Sequence, residues 1–275
     1  MGKNFLTGIF LFSLCFSLSA QSGLKIFLED NGGNLIIVGS QGKTRELVIP
    51  AVINDKPVTA IGEGAFTRKG LTLVTIPDSV TEIGESAFSH NELTTLVIGD
   101  SVETIGRNAF AGNKLNDLTL GAGVKTIGMG AFADNELAKV NIPGSVTVIE
   151  PYAFFYNRLT SLTIPDEVTT IGEGAFSFNR LFSVVIGSSV EEIGDGAFYN
   201  NRLTSISIPE GVAALGKRVF ESRLTKRTSV PPVDYLDETG EVLFTTSNNF
   251  DTYFAATGKK AGKYMYSRDG WNFEE

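Results

Sequence analysis

The sequence predicts a β-rich solenoid, a stack of short coils around one elongated core. Three observations predict it. The dipeptide Ala-Phe recurs at 65, 87, 109, 131, 153, 175 and 197, always 22 residues on, and Val219-Phe220 makes an eighth copy. Two more columns keep the same beat: Ile61, Ile83, Ile105, Ile127, Ile149, Ile171, Ile193 and Leu215, and Val80, Val102, Val124, Val146, Val168, Val190 and Val212. Thirty glycines against nine prolines, with Val, Ile, Thr and Phe abundant, favour short strands and frequent turns over long helices. A fixed period of about 20 to 50 residues marks a stack in which each unit buries its apolar face only against its neighbours.

The elements follow in order. Residues 1–20 carry one basic residue, Lys3, then an apolar run over 5–18 and a small-residue exit at Ser19-Ala20. The run is short for a membrane span and reads as a signal peptide cleaved near Ala20. Lipid attachment at Cys15 is the competing reading. Against it, Leu14 stands where a small residue is wanted and the run continues past Cys15. Residues 21–57 read as an N-terminal cap: a hairpin around Asn31-Gly32-Gly33, then an opening repeat with a five-residue insertion. Residues 58–224 hold seven to eight repeat units. Residues 225–275 read as a polar, Pro-containing linker and a C-terminal cap. That cap is a short helix and a hairpin turning at Asp269-Gly270, with Tyr264, Tyr266, Trp271 and Phe273 as its apolar load. No stretch after the leader is long and apolar enough to span a bilayer.

One unit, 93–114, shows how a coil is built. Leu93, Leu96 and Ile98 follow an L-x-x-L-x-L spacing that puts Leu96 and Ile98 on one face of a short strand, with Thr95 and Val97 on the other. Gly99-Asp100 turns the chain, Val102 and Ile105 give a second inward pair, and Gly106 permits a tight corner. The stretch 107–113 is then expected to make about one turn of helix that drops Ala109 and Phe110 inward. Asn91, Asn113, Asn135, Asn157, Asn179 and Asn201 occupy one column, where an amide side chain can satisfy loop backbone from inside the turn.

The combined pattern L-x-x-L-x-I-P, V-x-x-I-G-x-x-A-F and N-x-L resembles the BspA-like, treponemal type of bacterial surface leucine-rich repeat, over 58–224. The resemblance implies a right-handed leucine-rich repeat solenoid with a parallel sheet along one side. Three departures stand out. Lys69 replaces the Asn of the first unit, Glu150-Pro151 replaces the Gly step of the fifth, and the eighth unit is one residue short before Leu224.

Function classes are narrowed mainly by exclusion. A net charge of −8 gives no global attraction to nucleic acid or anionic lipid. With His90 and Cys15 the only residues of their kinds, most metal sites, thiol chemistry and Ser-His-Asp triads are removed, and no cofactor is expected. The hexapeptide IGEGAF, at 61–66 and again at 171–176, has the glycine pair of a phosphate loop. It lacks the third glycine and the longer helix of a dinucleotide fingerprint, and its repetition marks it as a corner. Acidic corners such as Asp78, Asp100 and Asp166 are interrupted along their columns, so solvated turns are preferred to a calcium ladder.

Two surfaces remain. The outward strand columns, from Glu46 to Ser205 and from Val48 to Ser207, are small and hydroxyl-rich, suiting solvent or a flat partner. The column Glu92, Lys114, Glu136, Arg158, Arg180, Arg202 stacks three arginines roughly 5 Å apart. Nearby are the aromatics Tyr152, Phe155, Tyr156, Phe178, Phe182 and Tyr199. An arginine row flanked by aromatics has the composition of a binding hot spot, with packing under the C-terminal cap as the plain alternative. The partner-binding candidates are therefore Arg158, Arg180, Arg202, Tyr156, Phe178, Phe182 and Tyr199.

The expected function is a secreted, cell-surface or periplasmic repeat protein without catalysis that binds a protein or glycan. Adhesion to host matrix or a neighbouring cell is implied by the family resemblance. The rivals are a self-associating envelope spacer and a carbohydrate-active enzyme, the latter with no paired acid motif behind it.

Overall fold

The computed structural model describes residues 24–203 and 206–220 with their side chains, and the backbone alone of 14–17, 205, 234–236, 242–245, 262–267 and 270–274. Strands β2 (Lys25–Asn31) and β3 (Asn34–Gln41) form an antiparallel hairpin. Gly32 and Gly33 close it, both at positive φ, giving the two-residue turn whose twist suits paired strands. The backbone of β1 (Leu14–Ser17) pairs with the other edge of β2. Apart from that strand, the expected leader lies outside the described residues, as does the short helix expected before the C-terminal hairpin.

After β4 (Glu46–Val48) and β5 (Val52–Ile53), strand β6 (Lys56–Ile61) takes its place beside β3 in parallel. A parallel ladder of two-residue strands then climbs from Glu82–Ile83 to Ala214–Leu215, one per coil, with isoleucine registered on isoleucine until Leu215 pairs with Ile193. Hairpin and coils thus share one twelve-stranded sheet. The L-x-x-L-x-L strands behave differently and pair two by two: β4 with Leu73–Thr75, Thr95–Val97 with Asp117–Thr119, and Ser161–Thr163 with Ser183–Val185. Each keeps its middle residue buried and its flanks exposed. At the far end the backbone of Ser205–Ile208 pairs antiparallel with Gly262–Ser267, which forms a hairpin with Gly270–Glu274. Among the described residues no helix is long and apolar enough to cross a membrane.

A file of phenylalanines holds the coils together. Phe66, Phe88, Phe110, Phe132, Phe154, Phe176, Phe198 and Phe220 stack ring on ring, with centroids 5.2 to 5.6 Å apart. The first seven are completely buried. Covering each such ring contributes about 1.5–3 kcal/mol, and it is the neighbouring coil that does the covering. Gly106 shows how close the coils lie, since a β-carbon there would sit 2.7 Å from the carbonyl carbon of Gly84.

The one-turn helices expected at the corners do not form. In the third coil the Ala109 and Ala111 amides make i→i−3 turns to Gly106 and Asn108. The amides between and beyond them, Asn108, Phe110 and Gly112, donate instead to Met129, Ala131 and Ala133 of the next coil. An α-helix would need those same amides for itself. The alternation puts Asn108 and Gly112 at positive φ, 52° and 67°, and adds another line of hydrogen bonds between coils.

Each asparagine of the buried column clamps two coils. Asn113 Oδ1 accepts the Leu93 amide at 3.1 Å, while its Nδ2 donates to Phe88 of the coil before and Phe110 of its own. Asn91, Asn135, Asn157, Asn179 and Asn201 repeat the arrangement. Lys69, the departure in the first coil, has the hairpin beneath it in place of a coil, and its Nζ donates to Ser40 of β3 at 2.7 Å. No buried side-chain nitrogen or oxygen among the described residues lacks a partner.

Candidate interaction surface

The corner turns place two residues per coil in the left-handed region, four positions apart. In the early coils these are glycine or mainly polar residues: Gly64 with Arg68, Ser86 with His90, Asn108 with Gly112, Gly130 with Asp134. In the fifth coil both are bulky rings, and in the sixth Gly174 is joined by one. Tyr152, Tyr156 and Phe178 have φ of 60°, 54° and 57°. A large side chain there costs of order 1–3 kcal/mol, and such strain gathers at functional sites.

These rings meet. Tyr152 stands edge-on to Phe155 at 5.9 Å, Phe155 to Phe178 at 5.4 Å, and Phe178 to Tyr199 at 5.5 Å. Tyr156 tilts against Phe155 and Phe178. The Arg218 guanidinium lies 4.7 Å from the Tyr199 ring centre, within cation–π range. Tyr156 is 56% exposed and Tyr152 37%, far more than the ring file beneath them. Tyr152 lies over Gly174, where a β-carbon would come within 2.5 Å of its ring. Its hydroxyl donates to the Glu173 carboxylate, and that hydrogen bond first, then burial and the nearby negative charge, raises the phenol above its ordinary pKa. The bond is therefore present at neutral pH and is lost as the phenol ionises, at a pH above the ordinary tyrosine range.

The cation column is neutralised only in part. Lys114 pairs with Glu92 at 3.3 Å and Arg158 with Glu136 at 3.0 Å, each with the acid one coil earlier. Among the described residues neither Arg180 nor Arg202 has a carboxylate within 4.0 Å. Tyr156, Arg158, Phe178 and Arg180 line one polar groove of about 400 Å³. Of the sequence candidates, then, Tyr156, Phe178 and Tyr199 belong to one ring cluster, with Arg158 and Arg180 bordering it. Arg202 is exposed further along the column and does not line that groove. Phe182 is 57% exposed and makes no ring contact among the described residues. Sequence reasoning passed over Arg218, although the 22-residue column that holds Tyr152, Gly174 and Gly196 leads to it. On the strand face, Val97 and Val185 are exposed among small polar neighbours. At its rim the Ser188 amide and hydroxyl hold the Asp166 carboxyl below the usual carboxylate range.

Residues 45–159 and 147–269 match the family model described as BspA type leucine rich repeat region (6 copies). Among solved structures, a leucine-rich repeat protein from Bacteroides ovatus is similar at 28% identity, over 71% of this chain and 60% of that one, with a TM-score of 0.54. A leucine rich cell surface protein from Faecalibacterium prausnitzii shares the fold at 24% identity, over 84% and 62%, with a TM-score of 0.50. This chain thus spans about three-fifths of the length of each of these two proteins. No curated protein matches.

Proposed function

The chain belongs to the BspA-type leucine-rich repeat family, and from that premise we propose that it is an exported, non-enzymatic protein whose later coils bind a protein or glycan of a host matrix or cell surface. The observation that carries this reading is the coincidence of strain and exposure. Three bulky rings sit in left-handed positions that most other coils give to smaller or polar residues, and they do so beside Arg180, which has no carboxylate within 4.0 Å among the described residues. Packing alone gains little from rings as exposed as Tyr152 and Tyr156, whereas rings and arginine together make an anchor for a partner. Export through the leader at 1–20 fits that role, as does the cell-surface name of the Faecalibacterium prausnitzii protein.

The test uses the chain from 21 to 275 against immobilised matrix proteins and heparin-like polymers. Changing Arg180 and Arg202 together to Ser is expected to weaken binding roughly two- to thirtyfold, the sum of two exposed ion pairs. It should also flatten the salt dependence while leaving the melting temperature in place. Unaltered binding would shift attention to the strand face.

A further inference from the structure

Beside the arginines lies a second feature that the sequence candidates did not include. In the column of left-handed corners, Tyr152 is followed by Gly174, Gly196 and Arg218. Neither glycine has a side chain of its own: the Tyr152 ring covers Gly174, and the space at Gly196 lies open between that ring and Arg218. Tyr152 and Arg218 lie three coils apart, about 15 Å at strand spacing. The resulting slot has a volume of about 370 Å³, within the range of small-ligand sites. Phe155, Phe178 and Tyr199 line it with their rings. Glu173 and Asp195 border it with carboxylates, Lys217 and Arg218 with cations. The Lys217 amide donates to Asp195 Oδ1 at 2.7 Å and so fixes that carboxylate beside the slot.

We propose that this slot between Tyr152 and Arg218 binds an uncharged pyranose, a sugar ring of one or two units laid along the stack. The chemistry selects it by elimination. A wholly apolar occupant would strip water from two carboxylates without offering them a hydrogen bond, which is costly. An anion would meet Glu173 and Asp195, and a cation would meet Lys217 and Arg218, so the balanced charge favours a neutral guest. A pyranose presents one face of C–H groups, whose slight positive charge suits the negative face of an aromatic ring. Its rim of hydroxyls can donate to the carboxylates and accept from the cations. The backbone strain at Tyr152 and Phe178 then holds rings where a ligand can reach them.

The inference rests on the binding role proposed above and can fail separately from it. The probes are lactose, cellobiose, maltose and diacetylchitobiose at millimolar concentration, read by saturation-transfer NMR on the chain from 21 to 275. At least one disaccharide should receive magnetisation from the protein. Its affinity should fall about three- to tenfold in Tyr199→Ala and in Tyr152→Gly, the latter removing the ring while relieving the backbone. Absence of transfer from all four sugars, or transfer that survives both ring variants in a folded protein, overturns the slot. If matrix binding still responds to the arginines in that case, the broader reading stands without it.

Discussion

Asn135 joins two coils through one amide group. Its Oδ1 accepts the Leu115 amide at 3.0 Å, and its Nδ2 donates to Phe110 and Phe132. Those carbonyls also accept from Asn113 and Asn157, whereas Leu115 has no other acceptor among the described bonds. Asn135→Ala therefore orphans one buried donor more than it starves the carbonyls, and is expected to cost about 1–3 kcal/mol in urea unfolding. Asn135→Asp separates the two halves of the clamp. A carboxylate keeps the acceptor for Leu115 but turns negative charge on two carbonyls in a buried site, so its pKa must rise. The protonated acid restores one donor, and the stability gap to the parent protein should narrow as pH falls from neutral towards the carboxylate range. A gap that stays constant with pH would mean that the donor side of the clamp is of no consequence.

Within a single coil, close approach rather than backbone freedom decides which glycines matter. A β-carbon at Gly106 would meet the backbone of Gly84 at 2.7 Å, so Gly106→Ala must push two coils apart, at about 1–3 kcal/mol. Gly64 has a left-handed φ of 61° but nothing nearer than the Thr67 hydroxyl at 3.7 Å, and Asn108 occupies the same column two coils on. Gly64→Asn is expected to change stability by less than about 0.5 kcal/mol. Thermal melting of the two variants checks the contrast, and equal losses would refute it. The same contrast explains what could be seen in advance. Columns of Phe, Ile, Val and Asn were legible because every coil solves the same stacking problem with the same side chains. The corner was misjudged because an inward Ala-Phe pair fits a turn of helix as well as a run of alternating turns. Only the partners of the Asn108, Phe110 and Gly112 amides, in the next coil, distinguish them. The pairing of Arg158 with Glu136 was written in the column as alternating sign. The slot beside Gly196 was hidden, since it depends on a missing side chain and on where the Tyr152 ring lies.

For the whole molecule the charge of −8 works against long-range attraction of anionic partners, so Arg180 and Arg202 act only at short range. Stability is likewise a matter of neighbours. The N-terminal hairpin covers the first coil with Ile26 and Ile37, both fully buried, and the Gly62 amide ties that coil to Ile37 at 2.8 Å. In a stack where each unit contacts only the next, weakening the cap should loosen the coils in order of distance from it. Ile26→Ala removes buried methylenes at about 2–5 kcal/mol, and the loss has to appear first where the cap is felt. Hydrogen exchange can follow it amide by amide. In the variant, protection should fall at Gly64 and Phe66, less at Phe88, and hardly at Phe154 and Phe176, whose amides bond within the later coils. The ring cluster and the slot would then keep their shape, and binding should survive a change that lowers the first melting step. A uniform loss of protection along the chain would show instead that the coils unfold as one unit, and the binding coils would be only as stable as the hairpin at the far end.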